Sequence, residues 1–181
     1  MKILVTGFEP FLDNLVNPSA KVLELIKDKY ETLLLPVSYK RAPLILNRRL
    51  KEYQPDMILS LGLASSRTKI SLELIGINYE GGKARDNDNV FITGEKILPQ
   101  GPDAIMTEFS VNDFVNILNE QEIPTYLSLS AGSYICNLIY YYCLNYTKKS
   151  LFIHLPDLNL SSLLQDLKAI NIVLKKMESK I

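Results

Sequence analysis

PTYLSLSAGSYICNLIYYYCLNY at residues 124–146, followed by LFIHL at 151–155, decides the fold. Pro124 to Ser130 carries Tyr126, Leu127 and Leu129 and reads as a strand. Ala131-Gly132 turns the chain, and Ser133 to Tyr146 reads as a helix. Leu151 to Leu155 is a second apolar run of strand length. Strand, helix and strand in succession are the building unit of a parallel sheet covered by helices.

The alternation continues outward in both directions. Lys2 to Thr6, Thr32 to Val37 and Met57 to Leu63 read as strands, and Lys69 to Asn78 as one long strand interrupted by Glu73. Helical spacing marks Ala20 to Tyr30, opened by Asn17-Pro18-Ser19, where Asn17 can cap and Pro18 suits the first helical position. Ala42 to Tyr53, stopped before Pro55, and Val111 to Gln121 are further helices. Leu160 to Ser179 is a C-terminal helix with Leu163, Leu167, Ile170 and Leu174 on one stripe. Gly7 to Asn14, Gly81 to Asn89 and Pro99 to Asp103 read as loops. The pattern predicts an α/β sandwich with a largely parallel sheet. No linker or repeat divides residues 1–181, so one domain is expected.

Composition narrows the function classes. The chain has 20 basic and 20 acidic residues and no basic block, which gives no support to nucleic-acid binding. No apolar run reaches the ~18 residues of a membrane span, and the N-terminus reads as a first strand rather than a signal peptide. Cys136 and Cys143 would lie ~10.5 Å apart along one helix, too far to bridge. A reduced, cytoplasmic setting is expected.

Three residues invite chemistry. His154 is the only histidine, and imidazole is the side chain best suited to act as a base near neutral pH. It ends an apolar strand, where α/β sheets tend to bind ligands; a strand-end His bonded to backbone is the other reading. Cys136 lies 18 residues upstream (154 − 136), after a strand, a turn and the first turn of a helix. A helix N-terminus lowers a thiol pKa and stabilises an oxyanion; on position alone a buried core cysteine is the commoner reading. Glu73, between Leu72 and Leu74, is either a buried carboxylate in need of a partner or part of a half-exposed face with Lys69, Ser71 and Ile75. Phe8 and Phe11 stand in a loop, to line a pocket or to cover a core edge. Tyr140, Tyr141 and Tyr142 read as helix packing. Asp86 and Asp88 have no His or Cys partner, so no metal site is expected.

Taken in order, five strings resemble the type I pyroglutamyl peptidases, also called pyrrolidone-carboxylate peptidases. They are Thr6-Gly-Phe-Glu-Pro-Phe11 with Asn17-Pro18-Ser19; Leu61-Gly62-Leu63-Ala64 with Arg67; Ile70-Ser71-Leu72-Glu73 with Ile77-Asn78; Ser130-Ala131-Gly132 with Tyr134, Cys136 and Asn137; and Phe152-Ile153-His154-Leu155-Pro156. The resemblance implies a three-layer α/β/α sandwich with a mostly parallel, mixed central sheet. It also implies a cytosolic cysteine peptidase, often tetrameric, that uses no metal or organic cofactor and removes N-terminal pyroglutamyl residues from peptides. Cys136 matches the nucleophile, His154 the base and Glu73 the orienting carboxylate. Phe8, Phe11, Asn17 and Ile135 match the pocket for the uncharged lactam ring. The chain departs from the family pattern in three places. Leu12-Asp13 replaces a Gly-Gly pair; the family's arginine falls nearest Lys83, with Arg85 two positions on; and the segment between Cys136 and His154 is short. Two alternatives accompany this reading: a pyroglutamyl-peptide-binding homologue without turnover, and a nucleoside-phosphorylase-like enzyme, for which no phosphate site is found.

Overall fold

The computed structural model describes residues 1–11, 15–82 and 84–179. Leu12, Asp13 and Lys83 therefore lie outside the described residues, as does part of the loop expected over Gly7 to Asn14. The first strand, β1 (Ile3–Phe8), is buried at all six positions, which its apolar run anticipates. Helix α1 (Pro18–Ile26) follows. Asn17 caps it by accepting from the Ser19 amide, and Pro18 opens it without losing a needed N–H. It ends four residues earlier than expected, because Lys27–Tyr30 form the turn into β2 (Glu31–Leu35).

Helix α2 (Arg41–Tyr53) stops at Gln54, which takes a left-handed conformation ahead of Pro55. Strand β3 (Met57–Leu63) matches its expected span. The long strand expected over Lys69 to Asn78 is broken. Its first part is β4 (Ile70–Glu73) and its second β5 (Ile75–Ile77), with Leu74 between them. The two parts serve different sheets, and Leu74 is held at the branch by bonds from its N–H to Ser128 O (2.8 Å) and from Thr107 N–H to its carbonyl (3.1 Å). Strand β5 pairs antiparallel with β6 (Ala104–Met106), a three-residue strand too short to show a period in the sequence. Then come α3 (Val111–Glu120), β7 (Thr125–Ser128), α4 (Ile135–Tyr146), β8 (Ser150–Leu155) and α5 (Leu163–Glu178), the last capped by Ser162.

The main sheet has the order β2-β1-β3-β8-β4-β7. Every neighbouring pair is parallel except β4 with β8, so the sheet is mixed but mostly parallel. Helices α1, α3 and α5 cover one face and α2 and α4 the other, giving three layers. Register then sorts the strand residues. Ile3, Val5, Leu59, Leu61, Leu72, Leu151 and Ile153 pack beneath α1, α3 and α5. Thr6, Ser60, Gly62, Ser71, Glu73 and His154 alternate with these and share the α4 face with Phe152.

Candidate active site

Insertion of β4 antiparallel to β8 assembles the site. The register sets Ser71 opposite His154 and Glu73 opposite Phe152. Side chains on one face of such a pair lie within reach of their diagonal neighbours, so Glu73 meets His154 across the strand boundary. His154 Nδ1 lies 2.8 Å from Glu73 Oε1. Glu73 is 0% exposed and His154 4%, which excludes the half-exposed face for Glu73 and gives His154 a carboxylate rather than a backbone partner. Burial alone would push the Glu73 carboxyl up. His154, with Ser128 and Arg67, outweighs it and holds the carboxyl below its ordinary value. An ionised carboxylate only accepts, so Nδ1 carries the proton and Nε2 keeps its lone pair. Burial also holds His154 below the usual imidazole range despite Glu73.

Cys136 is the second residue of α4, inside the first turn rather than after it. The helix begins later than expected because Ser133 is engaged elsewhere: its hydroxyl donates to Gly81 O (2.8 Å) and its carbonyl accepts from Gly81 N–H (2.8 Å). Tyr134, at the cap position, offers no side-chain cap. The first intrahelical bond runs from Leu138 N–H to Tyr134 O (3.1 Å). The amides of Ile135 and Cys136 thus belong to the turn whose donors lack helical partners.

Gly62 lets the helix end come this close. A Cβ there would sit 2.9 Å from Phe152 Cζ and 3.0 Å from Cys136 Sγ. Gly62 is also the register partner of His154, one strand spacing away, ~4.8 Å. Among the described residues no hydrogen bond links Cys136 Sγ to the His154 ring, a contact that in many enzymes tightens only with substrate. Burial pushes the Cys136 thiol up to about 12, with Glu73 adding to the shift.

Cys136 lines a cavity of about 260 Å³ together with Phe8, Phe11, Asn17 and Ile135. All four expected pocket residues therefore share one space with the thiol. Phe8 is 2% exposed at the end of β1, and its N–H is tied to Ser19 Oγ (3.0 Å). Asn17 is held in place: one Nδ2 hydrogen is donated to Glu9 O (3.1 Å), and Oδ1 accepts from Ser19 N (3.0 Å) and Ser19 Oγ (2.8 Å). Its second Nδ2 hydrogen is not used by these bonds. Arg85 is turned elsewhere: Nη1 donates to Asn89 O (2.9 Å) and its guanidinium lies over Phe91.

Two participants, Tyr134 and Arg67, stand in the resembling strings, but the sequence alone assigns them no role at the site. Tyr134 closes the cavity, its ring 5.3 Å from that of Phe11 and 5.4 Å from that of Tyr39. Arg67 places Nη1 2.5 Å from Glu73 Oε1. A cation six positions before a carboxylate in an apolar strand was the available signal, but Lys69 offered the same one. Among the described residues no group of three His, Cys, Asp or Glu side chains is placed to hold a metal ion.

The profile of the pyroglutamyl peptidase family matches residues 1–170. The chain belongs to this family. It is 42% identical over 166 residues to pyrrolidone-carboxylate peptidase 1 of Saccharolobus solfataricus, covering 86% of this chain and 79% of the relative. The crystal structure of pyrrolidone carboxyl peptidase from Fervidobacterium islandicum superposes with a TM-score of 0.92 at 33% identity, covering 100% of both chains. The Thermococcus litoralis pyrrolidone carboxyl peptidase gives 0.90 at 32% identity over 96% of this chain and 91% of that one. The mostly parallel, three-layer architecture is that of these peptidases. The phosphorylase-like and non-catalytic alternatives are not favoured.

Proposed function

We propose that this protein is a cysteine peptidase that removes the N-terminal pyroglutamyl residue from peptides, with Cys136 as nucleophile, His154 as base and Glu73 as its orienting carboxylate. The observation that carries the reading is the buried His154–Glu73 pair, on the same sheet face as a thiol that lines an apolar cavity. Phe8, Phe11 and Ile135 suit an uncharged lactam ring.

The resting pair is neutral, because the thiol is raised and the imidazole lowered. His154 Nε2 takes the thiol proton as Sγ attacks the pyroglutamyl carbonyl carbon. The oxyanion faces the amides of the first turn of α4. The C–N bond breaks as His154 returns the proton to the leaving amine, leaving a thioester. Water, deprotonated by His154, attacks the thioester; pyroglutamate leaves and Cys136 regains its proton. Glu73 holds the tautomer throughout and stabilises the imidazolium.

A cytoplasmic setting fits this reading, since both cysteines are free and the reaction needs a reduced thiol. No helix among the described residues is long and apolar enough to cross a membrane. Assembly into a homo-oligomer is part of the same reading. Leu15, Val16 and Leu34 are exposed together along a groove of about 450 Å³ beside the edge strand β2.

The test is release of aminocoumarin from a pyroglutamyl-aminocoumarin substrate by purified, reduced protein. Activity in the native protein and a loss of at least about 10³-fold in Cys136→Ser are expected. A folded native protein that releases no fluorophore would overturn the function, and an active Cys136→Ser would remove Cys136 from the mechanism.

A further inference from the structure

Glu73 Oε1 serves two donors. His154 Nδ1 is 2.8 Å away and Arg67 Nη1 2.5 Å. The other oxygen, Oε2, is buried with no hydrogen-bond partner among the described residues. The imidazole and the guanidinium therefore converge on a single atom of this carboxylate, with Ser128 adding a further stabilising contribution to its charge.

Arg67 is itself placed by its surroundings. It leaves the turn after β3, with its N–H bonded to Ala64 O (2.9 Å). Its Nη1 also donates to Ser71 Oγ, and its guanidinium lies 6.0 Å from the Tyr126 ring centroid. Its side chain is 23% exposed, against 0% for Glu73. It bridges the two outward positions of β4 on the α4 face, Ser71 and Glu73. It does not line the cavity that holds Cys136.

We propose that Arg67 is a positioning residue for the His154–Glu73 pair. By sharing Oε1 with His154 it fixes the carboxylate and withholds part of its negative charge from the imidazole.

Its consequence is a base that stays uncharged until it is used. Glu73 draws His154 toward its protonated form, and Arg67 opposes this. The other groups that face the pair are Cys136 and Tyr140 from α4, with Ser128 from β7. The Cys136 thiol is held protonated, and the Tyr140 hydroxyl donates to Glu73 O (2.9 Å). Arg67 is therefore the one fixed cation acting on the pair among these groups. Both bonds leave Nη1, whose two hydrogens are fixed in the guanidinium plane toward Oε1 and Ser71 Oγ, a directionality that a freely rotating ammonium lacks.

The inference rests on the peptidase reading for its kinetic consequences, but one readout is independent of activity. His154 is the only histidine of the chain, so its imidazole resonances can be titrated by NMR without assignment. Arg67→Met should raise the His154 midpoint by about one pH unit. It should carry the acid limb of kcat/KM upward with it and lower kcat about tenfold with little change in KM. Arg67→Lys should keep the midpoint near that of the native protein while kcat still falls.

A folded Arg67→Met with a native midpoint and native kcat would overturn the inference, as would variants that lower only Tm. Should Arg67→Met fail to fold, Arg67→Lys decides: native kcat would overturn the inference, and a lowered kcat at an unmoved midpoint supports it. A native protein that shows these titrations but cleaves no pyroglutamyl substrate would sink the function and leave the role of Arg67 intact.

Discussion

The two faces of the central sheet are built from the same strands and differ in kind. Under α1, α3 and α5 the core residues supplied by β1, β3, β4 and β8 are Ile, Val, Leu and Met. Under α2 and α4 the alternate positions include Thr6, Ser60, Gly62, Ser71, Glu73 and His154. Thr6 Oγ1 donates to Ser60 Oγ (3.0 Å), and Glu73 joins His154 and Arg67. The apolar face holds the layers together by excluding water. The polar face gives up part of that burial to keep ionisable groups in a dry, hydrogen-bonded row. One face is organised for stability, the other for chemistry.

The sharpest way to break this comparison is to truncate one residue on each face of β8. His154→Ala should lower kcat/KM by about 10⁴-fold or more while Tm shifts by only a few degrees. Its neighbour Ile153, 0% exposed beneath the opposite helices, should behave in reverse. Ile153→Ala is expected to cost about 2–5 kcal/mol in denaturant unfolding, with near-native kcat wherever the protein remains folded. Equal losses of stability for the two variants would erase the division.

Gly62→Ala examines how tightly the chemical face is built. The added methyl would press on the Phe152 ring and on Cys136 Sγ. If Cys136 is the nucleophile proposed above, steady-state kinetics should show a kcat loss of up to about 10²-fold from displacement of its sulfur. A native kcat would mean that Sγ has more room than the packing indicates.

The smallest effect concerns pH, where the faces should respond with opposite sign. His154 is held below its ordinary range by burial, so its contribution to stability is full above 6.5 and lost as pH falls through its folded value. On the apolar side, burial pushes the Asp166 carboxyl up from 3.8 to about 6, with Ser161 its hydroxyl partner. Its contribution is full below 3.8 and lost as pH rises through about 6. Asp166→Asn should melt like the native protein at pH 3.5 and above it at pH 7. A lower Tm at pH 7 would show that the charged form is stabilised by something other than Ser161.

The sequence by itself determined the kinds of elements, most of their order, and the residues with chemistry to offer. Apolar runs of strand length, the Asn17-Pro18 cap and the stop before Pro55 are local signals, and local physics obeys them. Cys136, His154 and Glu73 were also legible there, as a lone base, a thiol after a strand-turn-helix step, and a carboxylate misplaced in an apolar run. Only the tertiary structure decided the rest. The break at Leu74, the existence of β6 and the reversed direction of β4 depend on pairings between segments far apart in the chain. A fully buried run such as Ile70–Glu73 carries no period to announce which neighbours or which face it will have. That antiparallel insertion sets Glu73 beside His154 and lets Arg67 reach the same oxygen. Whether a lone histidine becomes an oriented base depends on which strand is placed next to it.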